Sequence, residues 1–174
     1  MNVWIDSSDC LPIADLPAIN VTIIYEDFAS GTRAKHFATR LAGQLGRGCE
    51  LSATIWRTEL LECPPLATQA AFAAADCDYL IVSLRGDRAL PVATRQWIEG
   101  QLDGAAAREA ALIALINCGG EMWRAGEDAR HLLGTLCAEK DVPFFSHPAI
   151  TPADVTPPGR SSMGETSEFS FLPQ

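Results

Sequence analysis

The sequence predicts an α/β domain: a five-stranded parallel sheet in the order 2-1-3-4-5, covered by helices on both faces as a three-layer sandwich. Three observations carry this. Short β-branched runs alternate along the chain with stretches of helical periodicity. The runs are continuously apolar instead of alternating, as strands buried on both faces require. The length, 174 residues, suits one domain around one core. With 48% hydrophobic and 20% charged residues, the chain is too apolar for disorder and too mixed for a membrane protein.

Each element can be placed in chain order. Residues 1–20, with Pro12 and Pro17, read as an extended N-terminal arm. Val21, Thr22, Ile23, Ile24 and Tyr25 form the first core strand, which breaks at Glu26-Asp27. From Gly31 to Gly46, Ala34, Phe37, Ala38, Leu41, Ala42 and Leu45 recur at helical spacing, with Arg33, His36, Arg40 and Arg47 turned outward and Ser30 as the cap. The second strand lies within 50–61 around Ser52 to Trp56, and Pro64-Pro65 ends it. An alanine-rich helix over 66–75 leads to Tyr79 through Leu84, the third strand. Pro91 fits the first turn of a helix through Trp97, Ile98 and Leu102. Residues 111–117 form a fourth strand, cut off by Gly119-Gly120. Ala129, Leu132, Leu133, Leu136 and Cys137 mark the last helix, and 142–145 an edge strand where Pro143 is tolerated. The domain therefore spans 21–148, and 149–174, rich in Pro, Ser and Gly with Phe169 and Phe171, reads as a flexible tail.

The net charge of −9 repels nucleic acid and anionic membranes, so neither is expected as a partner. The N-terminus has no basic region followed by a long apolar run, which predicts a cytoplasmic protein with free thiols at positions 10, 49, 63, 77, 118 and 137, most of them buried and inert. No Cys-x-x-Cys pair occurs, and His36, His131 and His147 are far apart, so no zinc site is signalled. Glycine-rich dinucleotide, phosphate-loop and nucleophile-elbow motifs are absent as well.

In sheets of this order, ligands gather at the carboxyl ends of strands one and three, where the order reverses. That rule selects Glu26, Asp27, Phe28, Ser30, Gly31, Thr32 and Arg33 after the first strand, and Ser83, Arg85, Gly86, Asp87 and Pro91 after the third. Asn117, Cys118 and His147 join them from strands four and five. Glu26 and Asp27 are a candidate Mg²⁺ pair. Cys118 and His147 could meet as thiol and base across adjacent strand ends.

Three resemblances meet at this rim. The acidic pair Glu26-Asp27 resembles that of bacterial response-regulator receiver domains, yet Ser83 stands where their acceptor aspartate belongs and His147-Pro148 where their lysine-proline step belongs. A serine hydroxyl cannot form the acyl phosphate, so such a rim is phosphorylation-incompetent. Ser30-Gly31-Thr32 and the loop from Ser83 to Pro91 are similar to the phosphate cradle and flavin-flanking loop of flavodoxins and small FMN reductases. Finally, Tyr25-Glu26-Asp27-Phe28, Gly31-Thr32-Arg33-Ala34-Lys35, Leu90-Pro91 and Trp97-Ile98-Glu99 resemble a group of uncharacterised bacterial proteins of flavodoxin-like fold, which implies a small α/β domain and no particular reaction. The resulting expectation is a non-enzymatic signalling or protein-interaction module with a degenerate receiver-like rim, needing no cofactor and binding a protein or a small molecule. The alternative is an FMN-binding, flavodoxin-like oxidoreductase.

Overall fold

A computed structural model describes residues 18–45, 49–117 and 123–148. In chain order the elements are β1 (Ala18–Tyr25), α1 (Phe28–Leu45), β2 (Glu50–Arg57), a 3-10 turn (Thr58–Glu62), α2 (Pro64–Ala74), β3 (Tyr79–Leu84), α3 (Val92–Ala105), a second 3-10 turn (Ala106–Arg108), β4 (Ala111–Ile116), α4 (Trp123–Glu139) and β5 (Phe144–Pro148). The sheet order is β2-β1-β3-β4-β5, and every pairing is parallel. Fold class and strand order are thus as expected.

The two sheet faces are covered unequally. On one face α1 seats Ala34, Ala38 and Ala42 over Ile19, Val21, Ile23, Ile81, Ile113 and Leu115. Small side chains let the helix lie close. On the other face α2, α3 and α4 pack Ala70, Ala74, Ile98, Leu102, Leu133 and Cys137 over Ile24, Leu80, Val82, Leu112 and Ile116. The period of two within β1, β3 and β4 sorts their continuous apolar runs onto the two faces, which is why they carry no polar alternation.

Several boundaries differ from expectation. The strand expected at Val21 starts at Ala18, so the last residues assigned to an arm belong to β1; residues 1–17 and the expected tail, 149–174, lie outside the described residues. Pro64 and Pro65 do not merely end the second strand. They open α2 at its first positions, where a missing N–H leaves no hydrogen bond unmade. The fifth strand is Phe144–Pro148, so His147 lies within it instead of after it.

Cys77 and Cys137 are buried, and burial pushes the Cys137 thiol up to about 11. Cys49 is half-buried and Cys63 exposed, so inertness by burial holds for only some of the thiols; Cys10 and Cys118 lie outside the described residues. Among the described residues, no helix is long and apolar enough to cross a membrane.

Candidate functional site

Register brings the carboxyl ends of β1 and β3 side by side, with Tyr25 opposite Ser83. The segments that leave these two strands form one hydrogen-bonded rim. Asp27 precedes α1, and its Oδ1 accepts the Ser30 N–H at 2.8 Å. Ser30 Oγ in return accepts the N–H groups of Asp27 at 2.8 Å and Glu26 at 3.1 Å, and donates to Asp27 O at 2.9 Å. This is a reciprocal capping box, so Asp27 is the cap and Ser30 its partner inside the helix, the reverse of the expected assignment. Burial raises the Asp27 carboxyl, but the Ser30 hydrogen bonds and the Arg85 and Arg33 charges outweigh it and hold it below the usual range.

Asp27→Ala should lower stability by about 1 kcal/mol near neutrality. Because the folded-state value is depressed, the contribution is present above the ordinary carboxyl value of ~4 and is lost as pH falls through the folded value. Urea titrations of both proteins should therefore converge toward acid pH.

Ser83 is fully buried, and its Oγ donates to Ser30 O at 2.9 Å. Arg33, expected to point outward, instead turns in under the rim. Its Nη2 donates to Leu84 O at 2.8 Å, Ser83 Oγ at 3.1 Å and Leu115 O at 3.3 Å, joining the ends of β3 and β4. Burial pulls its guanidinium below the ordinary value, opposed by Asp27 and Glu26.

Glu26 is the buried carboxylate of the rim. It accepts the Arg85 backbone N–H at 2.8 Å and pairs with the Arg88 guanidinium. Arg85 lies 3.7 Å from Asp27 and 2.5 Å from Asp87. The acidic pair is therefore not an open Mg²⁺ cradle: both carboxylates are engaged by donors of the protein itself. No group of three or more metal-ligating side chains occurs among the described residues.

Gly86 takes φ +80, and a Cβ placed there would lie 2.0 Å from Asn117 O. Gly31 lies under the Tyr25 ring, where a Cβ would meet Cδ2 at 2.8 Å. Thr32 is exposed. Asn117 N donates to Leu84 O at 3.2 Å, which closes the β4 end onto β3. His147 packs edge-on against Phe37 of α1, with ring centroids 5.9 Å apart. Cys118 lies outside the described residues, so the thiol-base pair has no geometry here.

The structure thus unites Glu26, Asp27, Ser30, Arg33, Ser83, Arg85 and Asp87 in one network, and His147 packs against Phe37. Sequence reasoning missed Arg88. Its signal was the spacing of Arg85 and Arg88 around Asp87, in a loop that faces an acidic pair.

No family model matches the chain, and no curated protein does, so the resemblance to the uncharacterised bacterial group gains no support. Among solved structures it is similar to one described as a lipolytic protein of the G-D-S-L family from Desulfitobacterium hafniense DCB-2, at 14% identity and a TM-score of 0.47, over 72% of this chain and 75% of that one. It is similar also to a crystal structure of TesA, at 15% identity and a TM-score of 0.43, over 71% and 76%.

The expectation of a receiver-like signalling module, with its FMN-dependent alternative, is corrected: these solved structures that resemble this chain are described as a lipolytic protein and as TesA, not as a receiver or a flavodoxin. The geometry gives the physical reason. Glu26 is sealed beneath Arg88, and Ser83 is buried under Ser30, so no receiver-like acidic pocket opens. Ser30 spends its hydroxyl on the capping box, so it is not turned toward an FMN phosphate.

Proposed function

We propose that the protein binds a small anionic molecule at the carboxyl edge of its sheet, over the junction of β1 and β3. One observation supports this most. The side chains of Arg85 and Arg88 are 55% and 61% exposed, whereas that of Glu26 beneath them is 3% exposed. Cations therefore face outward, in a chain of net charge −9, at the place where parallel sheets of this order collect ligands. A guanidinium carries five N–H donors, and a carboxylate partner occupies at most two, so donors remain for a ligand. The scaffold beneath is fixed: the Arg85 backbone is tied to Glu26, and Gly86 lies against Asn117.

The test is a titration of the amide NMR spectrum with acetate and with inorganic phosphate at low salt. Saturable shifts are expected at residues 26–33 and 85–88. The double variant Arg85→Ala/Arg88→Ala should bind at least about tenfold more weakly, a loss of ~1.4 kcal/mol. Absence of saturable shifts, or equal affinity in the double variant, would remove the proposal. Because one resembled structure is described as lipolytic, p-nitrophenyl butyrate is offered to the same samples; hydrolysis lost with the arginines would make the bound carboxylate the product of an ester cleavage at this rim.

A further inference from the structure

We infer that the molecule bound at this rim is amphipathic, a monocarboxylate carrying an apolar tail; this rests on the anion-binding reading above. Phe28, Leu60 and Val92 are 87%, 38% and 69% exposed. Phe28 begins α1 after β1, Leu60 lies in the 3-10 turn after β2, and Val92 begins α3 after β3. Because β2, β1 and β3 are consecutive neighbours in the sheet, all three apolar side chains belong to the same carboxyl edge as Arg85 and Arg88. Arg88 lies within reach of the charges of both Glu26 and Glu59, which places the turn after β2 beside the arginines.

These side chains are not needed for packing. In the same segments Leu61 and Thr94 are buried and supply the contacts to the interior. A single exposed apolar residue needs no explanation, but three on the segments that leave neighbouring strands, at the edge that also carries two outward-facing cations, give that edge two chemistries. A neutral apolar ligand would make no use of the guanidinium donors that their carboxylate partners leave open, and a cationic one would be repelled by the guanidiniums. The charge of the ligand is limited too. Glu26, Asp27 and Asp87 all pair with these arginines, so a monoanion is favoured over a dianion, which those carboxylates would repel. A carboxylate also matches the planar guanidinium fork.

Acetate, butyrate, hexanoate and octanoate, all below their micellar concentrations, are titrated against the labelled protein, with octanol and octylammonium alongside. Affinity is expected to rise roughly threefold to fourfold for each methylene the rim covers. Octanol and octylammonium should bind at least about tenfold more weakly than octanoate, the discrimination worth ~1.4 kcal/mol. Phe28→Ser/Val92→Ser should flatten the chain-length series while leaving acetate affinity unchanged; both positions are exposed, and a thermal melt confirms the fold. Equal affinity for acetate and octanoate would overturn the amphipathic ligand and leave the anion site standing. Octanol or octylammonium binding as tightly as octanoate would overturn it through the charge. If no carboxylate binds, the anion site fails and this inference with it.

Discussion

Gly86→Val should lower the unfolding free energy by about 3 kcal/mol or more, through two effects that add. At φ +80 a β-branched residue is strained in any surroundings, and the Cβ would enter Asn117 O at 2.0 Å. The obstacle is backbone and cannot rotate away. The β4 end would have to move off β3, stretching the bond from Asn117 N to Leu84 O. Gly86→Ala should lose nearly as much, because the clash begins at Cβ itself. Asn117→Ala should not rescue either variant, since the offending atom is a main-chain carbonyl. Guanidinium denaturation of the natural protein, the two Gly86 variants and each of them combined with Asn117→Ala reads this directly, and a cost under about 1 kcal/mol for Gly86→Val would show that the loop relaxes freely.

Arg33→Ala should cost about 2–3 kcal/mol, the range for losing hydrogen bonds made by a charged donor. Its Nη2 serves carbonyls at the ends of β3 and β4, Leu115 O and also Leu84 O, which accepts the Asn117 N–H as well. Its Nε has no partner among the described residues, so the loss is set by the outer nitrogen. Arg33→Lys keeps the charge but carries its ammonium on a shorter stem, which falls short of the place Nη2 takes between Leu84 O and Leu115 O, and should recover less than half of the loss. If the lysine variant were as stable as the natural protein, the contribution would be charge alone. Denaturant midpoints at low and high salt separate the two, because the carbonyl bonds are screened far less than a pairing with Asp27 or Glu26.

The strands were legible because burial on both faces leaves a continuous apolar signature. Residues 79–84 are as read, β4 ends at Ile116, one residue short of the reading, and the order of the sheet came from the alternation with helices. The site was legible only as a location. In Asp27-Phe28-Ala29-Ser30 either polar residue can cap, and only the main-chain path decides that Asp27 stands outside the helix and Ser30 within it. Periodicity put Arg33 outside because guanidinium is charged. It ignored the length of the side chain, which lets a residue beside the apolar stripe bend under the rim to reach Leu84 O. The receiver resemblance failed for a related reason. The letters Glu26-Asp27 are the same whether the carboxylates are open to a metal or closed by Arg88 and Ser30, and the closing residues are distant in sequence or of a type that suggests other roles.

Helix ends are ordinarily where a fold loosens first, and α1 should loosen at one end only. Its first turn is riveted: Ser30 holds Glu26 and Asp27, Ser83 holds Ser30, and Glu26 N reaches Ser83 O at 3.2 Å. Unwinding that turn means detaching β1 from β3, so fraying is left to the far end, where Gly43, Gln44 and Leu45 are exposed. The surface that faces a ligand thus keeps its shape for as long as the sheet itself survives.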